Sequence, residues 1–354
     1  MLVVSTVAQS LALQTPDAWP VAKELGYELH FAAARDDWAR DLETLGHFQH
    51  LPASRSLKAR SLFQLARRLR TLSKQPWDLV QVQTPIVSAI WRIVAGEEAR
   101  RRTIYVAHGF HFYKGGPKLS GGFFRIVELF LASRVGAVAT VCDEDEDWTR
   151  RLPTWLAPPI IWRLPGAGVR LDRFRKAAAQ SACGPYALFV GELNANKDPL
   201  LAISAVEIAR VSDPDLQLVI IGAGPLEPAV MRARQTRPWV KHIRVCRDVE
   251  RWMAGAQVLL APSRREGLPR VIIEALSVGL PVVARQNRGS AELLQGDLGT
   301  LLSGTAGPRD WGAAIARVRD RGSDENAMKE RAAQYDSRAF AYSYRMLVTK
   351  MESA

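Results

Sequence analysis

Short apolar runs alternate with longer stretches of helical periodicity along almost the whole chain. Strands predicted in the first half lie near residues 2–8, 27–34, 79–84, 103–107, 137–142 and 160–164. Those predicted in the second half lie near residues 187–191, 216–221, 243–246, 257–261, 281–285 and 299–302. Strands that alternate with helices favour parallel sheets wrapped by helices. The sequence therefore predicts an α/β protein.

The length of the chain indicates more than one domain. At 354 residues it exceeds what a single hydrophobic core usually supports. A turn-rich segment that begins at Pro165 leads into an alanine-rich connector ending at Pro185. We therefore predict two Rossmann-like domains, residues 1–165 and 166–335, with a ligand in the cleft between them. Residues 336–354 carry the pattern of a last helix.

Cysteine usage and hydropathy point to a reduced, soluble protein. The three cysteines lie far apart and lack metal-ligand spacing, so we expect reduced structural thiols at Cys142, Cys183 and Cys246. The longest apolar stretch is interrupted by Glu128 and Arg134, so no membrane-spanning helix is predicted. No basic residue precedes the apolar N-terminus, which we interpret as a strand and not as a signal peptide. A cytoplasmic location is expected.

The net charge of +12 is concentrated in one part of the chain. Residues 51–125 hold fourteen basic and three acidic residues. Within them, residues 55–74 predict a basic amphipathic helix, which can lie on anionic lipid with about 1 kcal/mol from each basic residue near the surface. An ordinary helix with a charged outer face explains the pattern equally well. No nucleic-acid-binding motif accompanies the charge.

The most informative segment for function is residues 258–283. It predicts a buried strand, a loop that holds Glu266, a helix that begins near Pro269 and holds Glu274, and a second strand after Gly279. Both carboxylates are therefore expected toward the carboxyl edge of a parallel sheet, where open α/β sheets bind ligands. Two acids at that edge can bind hydroxyl-rich ligands.

This segment resembles the Glu-x7-Glu signature of the retaining glycosyltransferases of family 4, which have the GT-B fold. The resemblance implies that Glu266 contacts the donor sugar and that Glu274 holds the ribose hydroxyls of the nucleotide. It also implies that the backbone of Gly267, Leu268 and Pro269 holds the sugar. In GT-B proteins the last helix often crosses back onto the first domain, and the same is expected here.

The loop after the strand near 187–191 resembles the phosphate clamp of the same family. Its sequence is Gly191-Glu192-Leu193-Asn194-Ala195-Asn196-Lys197. The resemblance implies that Lys197 stabilises the diphosphate leaving group. The family's usual arginine is Glu192 here, so either Glu192 faces elsewhere or an arginine substitutes, the candidates being Arg264, Arg265 and Arg288. Gly222 belongs to a Gly-x-Gly-Pro-Leu turn that the family shares.

Candidate residues of the first domain follow its strands. The stretch Ala107-His108-Gly109-Phe110-His111-Phe112 resembles one in the bacterial exopolysaccharide and capsule branch of the family. That resemblance places His108 near the donor sugar, as a catalytic residue with Glu266 and Lys197. The acceptor-side candidates are His111, Lys114 and Thr6.

Neither a metal nor an organic cofactor is predicted. The acidic run at residues 143–147 follows a strand and suits a helix N-terminus better than a metal site. We therefore predict a retaining, metal-independent glycosyltransferase that moves a sugar, most simply from a UDP-sugar, to a glycan or polyprenyl-diphosphate-linked acceptor on the inner face of the membrane. A UDP-sugar 2-epimerase of GT-B fold and a non-catalytic, membrane-docked subunit remain as alternatives.

Overall fold

The computed structural model describes residues 1–53, 59–112, 118–153, 155–166, 168–178, 184–321 and 324–353. They form two compact units. The first unit comprises Met1–Gly168 and Ser337–Ala354, and the second comprises Val169–Asp336. Each unit contains one parallel sheet with helices on both faces, which confirms the predicted α/β architecture of two Rossmann-like domains.

The first unit has a seven-stranded sheet in the order β3-β2-β1-β4-β5-β6-β7. Its strands are β1 (Leu2–Val7), β2 (His30–Ala34), β3 (His47–His50), β4 (Val80–Gln83), β5 (Thr103–Ala107), β6 (Ala137–Thr140) and β7 (Ile160–Arg163). Its helices are α1 (Ala8–Gln14), α2 (Ala18–Glu24), α3 (Ala39–Glu43), α4 (Ala59–Leu72), α5 (Pro85–Val94), α6 (Glu97–Arg101), α7 (Lys118–Leu131) and α8 (Asp143–Arg150).

The second unit has a six-stranded sheet in the order β10-β9-β8-β11-β12-β13. Its strands are β8 (Tyr186–Val190), β9 (Gln217–Ile221), β10 (Val240–Ile243), β11 (Val258–Ala261), β12 (Val282–Arg285) and β13 (Thr300–Leu302). Its helices are α9 (Leu171–Arg175), α10 (Pro199–Ala209), α11 (Glu227–Gln235), α12 (Val249–Gly255), α13 (Arg270–Ser277), α14 (Arg288–Leu293), α15 (Pro308–Arg321) and α16 (Glu325–Ala333).

The last helix, α17 (Ser337–Glu352), belongs to the first unit. Its Phe340, Tyr344 and Leu347 are completely buried in the core that covers one face of the first sheet. The Tyr344 hydroxyl donates a hydrogen bond of 2.6 Å to Oε1 of Gln81 in β4, so the helix is held by a polar contact as well as by apolar packing.

Each sheet has one point at which the strand order reverses. In the first unit this switch point lies between β1 and β4, and in the second between β8 and β11. The central strands are paired on both sides: Leu188 of β8 is in register with Val219 of β9 and with Leu259 of β11. In open α/β sheets the crevice outside the carboxyl ends of such strands is where ligands bind.

Two strands differ from the prediction. Strand β3 was not predicted, because His47-Phe48-Gln49-His50 has no apolar run. It lies at the sheet edge, pairs with β2 alone and has no fully buried residue. Strand β10 is Val240–Ile243, whereas residues 243–246 were predicted. Its Lys241 and His242 concealed the strand, since an edge strand tolerates polar side chains.

Among the described residues, no helix combines the length and the apolar character needed to cross a bilayer. The apolar stretch of the sequence that contains Glu128 is instead divided between α7 and β6.

Candidate functional site

The switch point of the second unit brings together the two loops that carry the predicted donor residues. One loop follows β8 and ends at Lys197, and the other follows β11 and contains Glu266. Two hydrogen bonds join them: Arg264 N donates to the Asn196 carbonyl oxygen at 2.8 Å, and Asn196 Nδ2 donates to the Arg265 carbonyl oxygen at 3.0 Å. The loops are therefore held together by one backbone–backbone and one side chain–backbone hydrogen bond.

Lys197 and Glu266 form an ion pair at this place. Nζ of Lys197 lies 2.6 Å from Oε1 of Glu266, and the two side chains are only 24% and 17% exposed. The Lys197 backbone N–H donates to Oδ1 of Asn194 at 2.9 Å, which fixes the residue within its loop. The pair provides one cation for phosphate and one carboxylate for sugar hydroxyls, side by side at the carboxyl edge.

Asp198 directly follows Lys197 and joins two arginines, and no pattern in the sequence had singled it out. Its φ of 53° is left-handed, a region that Asp tolerates better than most residues. Its Oδ2 lies 3.2 Å from Nη2 of Arg264 and 3.3 Å from Nη2 of Arg285. The Arg285 guanidinium also donates to the carbonyl oxygens of Pro262 and Gly304, and burial lowers its pKa.

Glu274 lies on α13 and is nearly buried, with 14% of its side chain exposed. Burial raises the pKa of this carboxyl, and the positive charges of Arg270 and Arg173 oppose that rise. Arg270 Nε is 3.9 Å away, while Arg173 itself bonds Glu250 of α12 at 2.7 Å. A buried carboxylate with few competing partners can accept hydrogen bonds from a ligand's hydroxyl groups.

The loop from Gly267 to Pro269 contacts the start of α14 closely. A Cβ at Gly289 would lie 2.4 Å from the Gly267 carbonyl oxygen, so only glycine fits there. Arg288 Nε donates to the Glu266 carbonyl oxygen at 3.2 Å, and the Asn287 side chain caps the helix. Leu268, which lies between Gly267 and Pro269, packs against the core of the unit. The backbone beside Glu266 is therefore rigidly held.

The three arginines proposed as substitutes at the phosphate clamp differ in position. Arg264 is exposed but paired with Asp198, and the largely buried Arg288 donates to the Glu266 backbone. Arg265 is exposed, and no carboxylate within ion-pair distance of it is found in the described part of the chain. Glu192 is also exposed to solvent. Arg265 is thus the candidate least committed to internal contacts.

Gly191 and Gly222 end the adjacent strands β8 and β9. A Cβ at Gly222 would lie 1.9 Å from the Gly191 carbonyl oxygen, and the φ of Gly222 is +145°. Both the space and the backbone conformation therefore require glycine at residue 222. The backbones at the ends of β8 and β9 therefore approach too closely for a side chain at residue 222.

In the first unit, predicted residues meet at the carboxyl ends of β1, β4 and β5. The His108 ring nitrogen Nε2 lies 2.8 Å from Oε1 of Gln83, and burial lowers the His108 pKa to about 4. The imidazole is therefore neutral near pH 7. Thr6 Oγ1 lies 2.8 Å from Thr84 Oγ1, and Thr84 has a φ of 71°, a strained conformation for a β-branched residue.

The remaining predicted residues have different outcomes. The His111 ring packs against Phe124 at 4.7 Å between centroids. Lys114 lies outside the described residues. The acidic run begins α8, and Oδ2 of Asp145 accepts a hydrogen bond of 3.0 Å from the Phe110 backbone N–H. Within the described ranges no group of His, Cys, Asp or Glu is arranged to hold a metal ion.

Comparison with known proteins identifies the family of both units. Residues 184–320 match the family model described as glycosyl transferases group 1, and residues 21–160 match the glycosyl transferase 4-like domain. EpsD of Bacillus subtilis, which is named as a glycosyltransferase, is 26% identical over 298 residues, or 79% of this chain and 77% of EpsD.

Two further proteins are similar over most of the chain. An Escherichia coli protein named UDP-Gal:alpha-D-GlcNAc-diphosphoundecaprenol alpha-1,3-galactosyltransferase is 24% identical over 71% of this chain and 68% of its own length. The crystal structure of Alr3699/HepE from Anabaena, in complex with UDP and glucose, superposes with a TM-score of 0.75 at 16% identity, covering 100% of this chain and 99% of that one. That likeness shows the fold, which is GT-B. The chain belongs to the group 1 glycosyltransferases and has a glycosyltransferase 4-like first domain.

Proposed function

We propose that the protein is a retaining glycosyltransferase that takes its sugar from a UDP-sugar and transfers it to a glycan or to a polyprenyl-diphosphate-linked acceptor. The observation that carries this proposal is the Lys197–Glu266 ion pair at the switch point of the second sheet. The name of the Escherichia coli relative, which includes a UDP-sugar and a lipid diphosphate, supports both substrate classes.

The second unit would bind the donor. Lys197 would exchange part of its interaction with Glu266 for the diphosphate and stabilise the charge that develops as the sugar leaves. Glu266 and the backbone from Gly267 to Pro269 would hold the sugar hydroxyls, and Glu274 would accept hydrogen bonds from the ribose. Lys197 and Arg265 would supply the positive charge at the diphosphate, so we propose chemistry without a metal ion or other cofactor.

The first unit would contribute His108 and the acceptor side. Because the imidazole is neutral, it can donate a hydrogen bond to a sugar hydroxyl, or accept one from it, without adding charge. No covalent enzyme intermediate is proposed. The acceptor hydroxyl would attack from the face that the diphosphate leaves, which retains the configuration of the anomeric carbon. Thr6, His111 and Lys114 remain the proposed acceptor-side residues.

Attachment to an anionic membrane surface through the basic region 55–74 is a second proposal. In α4, Leu65, Leu69 and Leu72 are buried while Arg67, Arg68 and Arg70 are exposed. This helix therefore presents positive charge to solvent and packs these three leucines into the core. The protein would then work at the cytoplasmic face of the membrane, where a lipid-linked acceptor is accessible.

A screen of nucleotide sugars by thermal denaturation tests the function. A ligand that binds the folded protein raises the midpoint in proportion to the logarithm of its concentration over its dissociation constant. We expect stabilisation by UDP and by at least one UDP-sugar, and a product of unchanged anomeric configuration in the proton NMR spectrum when acceptor is added. Conversion of the donor to a different UDP-sugar without acceptor would instead identify an epimerase. No turnover with any donor would indicate a non-catalytic subunit.

A further inference from the structure

Three helices cover one face of the first sheet as a continuous layer. Helix α5 contacts α4 on one side and α7 on the other. The inner sides of α4 and α5 bury Leu65, Leu69 and Trp91 against strands β4 and β5. The outer side of the layer is therefore a single surface built from three consecutive long helices of the sequence.

That outer surface exposes large apolar side chains from every helix of the layer. Phe63 of α4 is 71% exposed and Ile93 of α5 is 57% exposed. On α7 the exposed fractions are 63% for Phe123, 56% for Ile126 and 64% for Phe130. Their i, i+3 and i+7 spacing places the three on one side of α7. An apolar stripe in this position contributes nothing to the core.

The charges of the same surface are of one sign. Helices α4 and α5 contain no Asp or Glu, and the one carboxylate of α7, Glu128, is 7% exposed and points inward. Exposed arginines accompany the apolar side chains, among them Arg60 and Arg67 on α4 and Arg125 on α7. The surface therefore combines apolar side chains and positive charge without an exposed carboxylate on these helices.

A buried ion pair fixes the orientation of α7. Nη1 of Arg92 in α5 lies 2.7 Å from Oε2 of Glu128, and Nη2 lies 3.1 Å from Oε1. The Tyr105 hydroxyl of β5 donates to the same carboxylate at 3.2 Å. Because Glu128 is turned toward the sheet, the opposite side of the helix, with Phe123 and Phe130, must face solvent.

We propose that α7 inserts Phe123, Ile126 and Phe130 into the headgroup and acyl boundary of an anionic lipid surface. The inference rests on the proposed membrane attachment and extends it from the basic helix α4 to the apolar side of α7, on the other side of α5. Apolar residues flanked by Arg and free of acids are the composition of helices that lie in a membrane interface. A second copy of this chain would bring the same positive surface against itself and would be repelled.

Vesicle co-sedimentation of the full chain tests this assignment. We expect the wild type to bind vesicles that contain anionic phosphatidylglycerol and to keep part of that binding at high salt, because salt screens charge but not apolar insertion. The triple variant Phe123→Ser, Ile126→Ser, Phe130→Ser should bind about a hundredfold more weakly and lose the salt-resistant part. A control variant, Val211→Ser with Val245→Ser, removes side chains that are 84% and 73% exposed in the second unit and should bind like the wild type.

Three other results of these measurements would each overturn part of the account. If the wild type binds no anionic vesicles, the membrane attachment and this inference both fail, while sugar transfer stays testable with a soluble acceptor. If the triple variant binds like the wild type and still shows the normal UDP-induced rise in midpoint, the attachment stands and insertion by α7 is wrong. If the wild type is a dimer in solution and the triple variant a monomer, the stripe is a protein interface, which also overturns the inference.

Discussion

Nζ of Lys197 lies 2.6 Å from Oε1 of Glu266, across the switch point of the second sheet. The two residues belong to loops after adjacent parallel strands, and the short distance arises because strand order brings the ends of β8 and β11 together. In the proposed reaction one partner binds the leaving diphosphate and the other binds the sugar. The ion pair thus keeps both charges compensated until the donor arrives.

Alanine at Lys197 or at Glu266 should nearly abolish sugar transfer. Lys197→Ala removes the charge that stabilises the leaving group, and we expect a loss of about 10²–10³ in kcat, the effect typical of one lost electrostatic contact to a transition state. Glu266→Ala should nearly abolish transfer as well. Lys329→Ala is the matched control, since Lys329 forms an exposed pair at 2.7 Å with Glu325 that is worth little. Wild-type rates in either test variant would refute the site assignment.

Replacing Glu274 with Gln should raise the stability of the fold near pH 7 and weaken the binding of UDP. Burial raises the pKa of this carboxyl, so folding disfavours its charged form. The free-energy cost of burying the charged carboxylate is absent below about pH 4.3, the pKa of a glutamate in the unfolded chain, and it grows as pH rises. Urea unfolding should therefore find Glu274→Gln more stable than the wild type near pH 7 and equal to it near pH 4. UDP affinity should fall about tenfold or more, whereas Glu266→Gln should bind UDP at least as well as the wild type. Unchanged affinity in Glu274→Gln would contradict the ribose role.

His108 should make the first unit sensitive to acid. Burial lowers its pKa to about 4, so the folded state binds fewer protons than the unfolded state between that value and about 6.5. Above about pH 6.5 the neutral imidazole costs the folded state nothing. As pH falls from there toward 4, the free energy of unfolding decreases. When pH is lowered from about 7 to about 5, the free energy of unfolding should decrease by about 2 kcal/mol less in His108→Gln than in the wild type. His50→Gln, at an exposed histidine of the same unit, serves as the comparison variant. Parallel pH profiles of all three proteins would mean that His108 is freely solvated.

Gly222→Ala should destabilise the second unit. Its Cβ would lie 1.9 Å from the Gly191 carbonyl oxygen, and residue 222 has a positive φ. Strain of this kind costs about 3 kcal/mol, visible as a lower thermal midpoint. Gly304→Ala is the control in the same unit, because nothing lies within 4 Å of a Cβ there. Equal midpoints would show that β8 and β9 separate readily at their ends.

Arg92→Met tests the support of α7. The variant leaves Glu128 as an unpaired buried carboxylate, and the expected loss in free energy of unfolding is about 3–5 kcal/mol. The double variant Arg92→Met, Glu128→Leu should recover much of it, since an apolar pair of similar volume can replace a buried ion pair. A double variant as unstable as Arg92→Met would show that the guanidinium, which lies 4.3 Å over the Tyr105 ring, matters for other reasons.

Much of the fold was predictable because buried parallel strands form continuous apolar runs. Val258–Ala261 and Val282–Arg285 illustrate this, and both are paired with neighbours on two sides. Edge strands such as β3 lack the signal. Glu128 shows a different limit: in the sequence it only interrupts an apolar stretch, whereas its partner Arg92 comes from another helix and becomes evident only through tertiary packing.

For the candidate site, local motifs pointed to Lys197, Glu266 and Glu274 as candidates, but the contacts around them depend on distant residues. Asp198 bridges Arg264 and Arg285, which come from two other segments, and no spacing in the sequence indicates that. The same is true of Thr84, whose left-handed φ and contact with Thr6 depend on how β1 and β4 lie side by side.

Calorimetric titration of UDP into the wild type and Lys197→Met tests the central claim most directly, because it needs neither the acceptor nor the identity of the sugar. We predict saturable binding of one UDP per chain to the wild type and affinity at least about tenfold weaker for Lys197→Met. Absence of UDP binding by the wild type, or equal affinity of the two proteins, would contradict the assignment of the Lys197–Glu266 pair to a nucleotide-sugar site.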